Sequence, residues 1–132
     1  MTQMATDTAR QPFLFKELTS GIIGAGFAVH NALGCGLLEK VYENALAWEL
    51  ERTGMRVQTQ REYPVIYRDK TVGTYCADLV VEDKVIVETK AAERLDDVHR
   101  AQVMAYLKVS GLRVGLLMNF GRPRLEFERF IV

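Results

Sequence analysis

At 132 residues, 48% of them apolar and 26% charged, the chain has the size and make-up of one globular domain, large enough for a real core and too small for two. Lysine plus arginine equals aspartate plus glutamate at 17 each, so no net field attracts a polyanion, and any nucleic-acid contact must come from a local patch. No apolar run approaches the roughly 18 residues of a membrane span, and no leader pattern precedes the first helix, so a cytoplasmic location is expected.

Residues 1–11 are polar, small and aperiodic and read as a flexible tail, leaving 12–132 as the single domain. Pro12 suits a first helical turn, and Phe13, Leu14, Leu18, Ile22, Ile23, Phe27 and Val29 recur near helical spacing. Gly21, Gly24 and Gly26 weaken that helix intrinsically, which suggests close backbone packing. Their order does not fit a GxGxxG dinucleotide loop, and no strand precedes them. The helix ends at Gly34 and Gly36, and a second runs from Leu37 to Thr53, where Leu38, Val41, Tyr42, Ala45, Leu46, Trp48, Glu49 and Leu50 include an apolar stripe. Glu39 and Glu43 lie four apart on it; the plainest role for Glu39 is a favourable charge at the helix N-terminus. Cys35 and Cys76 have neither CxxC spacing nor a histidine cluster and read as reduced thiols in or near the core.

Met55 to Tyr67 is rich in β-formers, with Pro64 suggesting an edge or a bulge, and after a turn at Arg68-Asp69-Lys70 the chain returns as a strand over 71–81. A third strand reaches Lys90, a helix spans Asp96 to Ser110 with His99, Gln102 and Tyr106 on one face, and strands follow over 112–120 and 125–132. The order ααβββαββ predicts an α/β fold, a mixed central sheet flanked by helices.

The chemistry concentrates in residues 75–90, two apolar strands joined by a short polar turn, where Asp78, Glu88 and Lys90 occupy positions that a buried sheet normally gives to aliphatics. An unpaired charge there costs several kcal/mol, and a cation held between two carboxylates is one compensation. Register decides whether that works. A three-residue loop at Glu82, Asp83 and Lys84 sets Val81 against Val85 and Asp78 against Glu88, whereas a two-residue loop puts the carboxylates on opposite faces. Two facing carboxylates repel unless a divalent cation lies between them or one is protonated. Asp78, Glu88 and the Thr89 carbonyl are hard oxygen donors of the kind Mg²⁺ prefers, Lys90 could steady developing negative charge, and Glu39 could complete the shell. The bland alternative is a surface ion pair, against which stand Leu79, Val80, Val81, Val85, Ile86 and Val87 on both faces of the same strands.

The stretch Gly36-Leu37-Leu38-Glu39-Lys40-Val41-Tyr42 resembles the GxxExxY signature of small bacterial and archaeal proteins in the PD-(D/E)XK nuclease superfamily. The likeness extends through Val29-His30, Ala77-Asp78-Leu79, Val87-Glu88-Thr89-Lys90, Gln102 with Tyr106, and residues 111–123. It implies a restriction-endonuclease-like core in which Asp78 and Glu88 hold Mg²⁺ or Mn²⁺ and Lys90 is catalytic, with the Thr89 carbonyl between them as the further metal donor already read from the residues. Glu39 and Gln102 would join Lys90 in the catalytic set, while Tyr106, His30 and Tyr42 would lie on the substrate side. For His30, and for Gln102 and Tyr106, structural hydrogen bonding is the competing role. Cys35 and Cys76 depart from the pattern, standing where proline and arginine are expected. The implied activity is metal-dependent hydrolysis of DNA phosphodiesters, with RNA not distinguished and a homodimer or protein partner helping to hold substrate. The rival from another class is a catalytically silent nucleic-acid or protein binding module on the same fold.

Overall fold

In the computed structural model, which describes residues 14–132, two helices lead, α1 (Lys16–Leu33) and α2 (Glu39–Arg52). Then come β1 (Val57–Tyr67), β2 (Lys70–Val81), β3 (Val85–Lys90), α3 (Asp97–Ser110), β4 (Val114–Asn119) and β5 (Glu126–Ile131). The expected tail over 1–11 and the helix start at Pro12 and Phe13 lie outside the described residues. The fold is α/β, in the predicted order, and no helix among the described residues is long and apolar enough to cross a membrane.

The five strands form one sheet in the order β1-β2-β3-β4-β5. Hairpin connections make β1/β2, β2/β3 and β4/β5 antiparallel, and only the long return through α3 makes β3/β4 parallel. Central β3 and β4 are buried almost throughout because helices cover both faces of the sheet. On one face α1 and α2 pack Ile22, Val29, Tyr42, Leu46 and Leu50 against Leu79, Val81, Val87, Leu116 and Met118; on the other, Val103, Tyr106 and Leu107 of α3 cover Ala77, Val80, Ile86 and Leu117.

The helices form for identifiable local reasons. Buried residues of α1 recur as Thr19, Ile22, Gly26 and Val29, one stripe at helical spacing. A Cβ on Gly26 would strike the Met118 side chain and one on Gly21 would meet Met55, so two of the three helical glycines allow close approach; Gly24 faces open space. In α3, Asp96 accepts from the Val98 and His99 amides while His99 Nδ1 accepts the Asp96 amide, a capping box, and Gly111 ends the helix at φ 75°. His99 is thus occupied at the cap.

Two expectations need correcting. Leu38 (77% exposed) and Trp48 (67% exposed) lie on the outer side of α2, because the buried stripe runs through Tyr42, Glu43, Leu46, Ala47 and Leu50. Cys35 is exposed in the α1–α2 loop rather than near the core; Cys76 is half-buried on β2, and both thiols are free.

Candidate active site

The β2–β3 loop contains three residues, with Glu82 and Asp83 both at φ 54° and Lys84 closing back onto the Val81 carbonyl. Val81 therefore faces Val85, and the ladder continues through Val80↔Ile86 to Leu79↔Val87. There it stops. Beyond that point the carboxylates replace it: Glu88 Oε1 accepts the Asp78 amide at 3.0 Å, and Asp78 Oδ2 accepts the Thr89 amide at 3.0 Å and the Thr89 hydroxyl at 3.1 Å. Each acidic side chain thus caps the backbone of the opposite strand, and the strands part around the pair.

β3 meanwhile stays paired to β4, Glu88 opposite Leu117 and Lys90 opposite Asn119. The Lys90 carbonyl accepts the Phe120 amide at 2.8 Å and so points towards β4. Carbonyls alternate along a strand, so the Thr89 carbonyl points the other way, into the gap that β2 leaves.

Glu88 is 1% exposed. Burial first, and the Asp78 carboxylate beside it second, push its pKa up to about 8, against the opposing pull of the Asp78 amide and of Lys90. The N-terminal turn of α2 lies over the same point. The Glu39 carboxyl is raised by burial and by Asp78, and lowered by Lys90 and by a hydrogen bond from the Ala91 amide. Behind it buried Glu43 accepts from Lys40 Nζ at 2.7 Å and from Gln60 Nε2 at 2.8 Å. Four carboxyl groups, Glu39, Glu43, Asp78 and Glu88, thus face two ammonium groups, Lys40 and Lys90. That imbalance calls for a proton or a cation.

From the α3 side, Tyr106 is buried, its hydroxyl 3.4 Å from Gln102 Nε2 and its ring edge-on to Tyr75 at 5.5 Å. Burial, then Glu88, push its pKa up to about 12, so Tyr106 is within electrostatic reach of the carboxylate pair and remains a neutral donor. The structure thus gathers Glu39, Asp78, Glu88, Thr89, Lys90 and Tyr106 in one neighbourhood, with Gln102 attached through Tyr106.

His30 and Tyr42 belong to the core. His30 is buried, hydrogen-bonded through Nε2 to the Arg122 carbonyl at 2.7 Å, and tilted against Phe120. Tyr42 is fully buried, stacks on Phe120 at 4.9 Å, donates to the Gly34 carbonyl at 2.7 Å and accepts the Leu37 amide at 3.2 Å. Both hold loops that flank the site. Among the basic residues, Arg100 is committed to Glu128 and Asp97, and Arg122 donates to the Glu93 carbonyl, whereas Arg94, Lys108 and Arg124 are exposed.

Three contributors carry no motif: Glu43, Gln60 and Asn119. Buried Asn119 accepts the Ala92 and Gly121 amides at 2.9 and 3.1 Å and donates to the Ala92 carbonyl and Glu126 Oε1 at 3.0 and 3.1 Å, clamping the chain just after Lys90. Its only sequence signal is polarity at the end of an apolar strand.

Among the described residues, no three His, Cys, Asp or Glu side chains form a ready-made metal cluster. The donors suit Mg²⁺ nonetheless, because that ion keeps several waters and is commonly held by one or two carboxylates. Asp78 Oδ1 has only a long 3.5 Å contact from Gln60, and Glu88 Oε2 has no hydrogen-bond partner among the described residues, so each carboxylate keeps an oxygen for a ligand.

No curated protein matches the chain. The crystal structure of SSO0001 shares the fold, with a TM-score of 0.54 at 17% identity over 70% of this chain; the chain spans 48% of that protein's length. Residues 16–130, nearly all of the described domain, match the PD-(D/E)XK nuclease superfamily, and the chain belongs to it.

Proposed function

We propose that the protein is a metal-dependent nuclease of the narrower GxxExxY group that hydrolyses DNA phosphodiester bonds, with Asp78, Glu88 and the Thr89 carbonyl as the seat of Mg²⁺ or Mn²⁺. The observation that carries this reading is the strand opening at Asp78 and Glu88, where two carboxyl groups face each other and burial, then the neighbouring Asp78, push the Glu88 carboxyl up to about 8. A divalent cation bound there supplies neutralisation of the phosphoryl oxygens and an acidified water.

The chain's own groups do the rest. Thr89 fixes the Asp78 carboxylate through two hydrogen bonds, so that its other oxygen keeps one direction. Lys90, next along β3, orients the attacking water or steadies charge on the phosphoryl oxygens as the bond to the leaving oxygen breaks. Glu39 lies within electrostatic reach of Lys90 and accepts the Ala91 amide. Tyr106, with Gln102 behind it, presents a neutral hydroxyl from the α3 side. Neutral net charge leaves little long-range attraction for DNA, so a homodimer or a protein partner supplies part of the substrate grip.

The test is incubation of labelled single- and double-stranded DNA, and matched RNA, with the parent protein, Asp78→Ala and Lys90→Ala, in Mg²⁺, Mn²⁺ or EDTA. Cleavage by the parent alone, only with metal, is the expected result. Equal cleavage by all three proteins would signal a contaminant and end the proposal, and binding without turnover would favour the silent module.

A further inference from the structure

Gln60 has no motif and stands 18 residues before Asp78, yet its backbone leaves the regular strand conformation. Its φ is +51°, the left-handed region in which side chains other than glycine are disfavoured. On either side of it the β1/β2 ladder is regular, Thr59 with Leu79 and Arg61 with Ala77, but Gln60 and Asp78 drop out. At the same point the sheet changes faces: Leu79 and Val81 pack under α1 and α2, whereas Ala77, two residues away and expected on the same side, packs with Tyr63 under α3. The distortion therefore sits across the strand pair, centred on the acidic residue.

The Gln60 side chain uses the bend. Its Nε2 donates to Glu43 Oε2 at 2.8 Å and lies 3.5 Å from Asp78 Oδ1, while its Oε1 accepts the Cys76 thiol at 3.2 Å. The opposite amide orientation would set an oxygen against two carboxylates, so the network fixes which end faces Asp78. Glu43 is itself held by Lys40 on α2. A continuous chain thus runs Lys40, Glu43, Gln60, Asp78 from helix to strand opening.

We infer that Gln60 is the positioning residue of Asp78, its amide standing beside Oδ1 while Thr89 holds Oδ2, so that the carboxylate meets a cation without reorienting. This rests on the reading of Asp78 as a cation ligand. A supporting partner of this kind affects affinity through the ligand it orients, typically about ten-fold or more.

Two substitutions separate positioning from scaffolding. Gln60→Met keeps the length and the disfavoured backbone but loses the amide; Gln60→Gly relieves the backbone and loses the amide too. Mn²⁺ affinity is read by calorimetry on the folded protein, beside the metal-free melting temperature, with Asp78→Ala as control. The inference predicts that both variants bind Mn²⁺ about ten-fold more weakly than the parent, even though the glycine variant melts above the methionine one. Folded variants that bind Mn²⁺ within about two-fold of the parent, while Asp78→Ala does not bind, would overturn the role of Gln60 and leave the metal site standing. Equal binding by the parent and Asp78→Ala would overturn both.

Discussion

Changing Glu88 to glutamine removes the most strongly perturbed carboxyl of the site and keeps its shape, including an oxygen able to accept the Asp78 amide. Its pKa, raised from 4.5 to about 8, means that between those values the folded protein binds a proton there which the unfolded chain has released. Metal-free stability from this group is therefore fully present below about pH 4.5 and is lost as pH rises through about 8. A displacement of that size corresponds to about 5 kcal/mol as a ceiling, and relaxation and water entry reduce the measurable loss to about 2–3 kcal/mol. At this chain length that is a fall of roughly 8–12 °C in melting temperature. Thermal melts in EDTA from pH 5 to pH 8.5 should show this decline in the parent and a flatter profile in Glu88→Gln, with the variant the more stable at pH 8.5. Adding Mn²⁺ at pH 8 should raise the parent and leave the variant unmoved. A variant that keeps the parental slope, or that is less stable than the parent in EDTA at pH 8.5, would refute the account of Glu88 as a buried carboxyl held back by its surroundings.

Asn119→Ala strips four hydrogen bonds from a buried clamp on the chain after Lys90, and should cost about 2–4 kcal/mol in urea unfolding; a loss below about 1 kcal/mol would mean that the Ala92 backbone is satisfied some other way. Tyr42→Phe keeps the stack on Phe120 and removes the hydroxyl bridging Gly34 and Leu37, so stability should fall by about 1–2 kcal/mol while Mn²⁺ affinity holds. A several-fold loss of Mn²⁺ affinity in a folded Tyr42→Phe protein would instead put that hydroxyl in the site's own network.

Much of the fold was legible because local chemistry and tertiary packing agree. The Asp96 start and the Gly111 stop are short-range signals, whereas the turn at Glu82, Asp83 and Lys84 left two registers open in the sequence, and its three-residue length in the structure is what brings Asp78 to Glu88. The contributions of Gln60 and Asn119 were not legible, because both depend on partners distant in the chain, and the lone polar residue that ends β4 does not say what it binds. Glu43 is visible as a charge four residues from Glu39, but its burial follows only from how α2 rests on β1 and β2. The reverse holds for Leu38 and Trp48, whose apolarity suggested a core stripe that the helix presents outward. Helical spacing defines a stripe; which stripe the sheet covers is settled by Tyr42, Leu46 and Leu50 stacking over Phe120 and its neighbours.

The most direct measurement is an anomalous difference map from crystals of the parent protein soaked in Mn²⁺. The proposed site predicts a peak between Asp78 Oδ1 and Glu88 Oε2, with the Thr89 carbonyl as a further ligand, and no such peak in Asp78→Ala crystals. A parent map empty at that position under saturating Mn²⁺, or a peak elsewhere that survives Asp78→Ala, would contradict it.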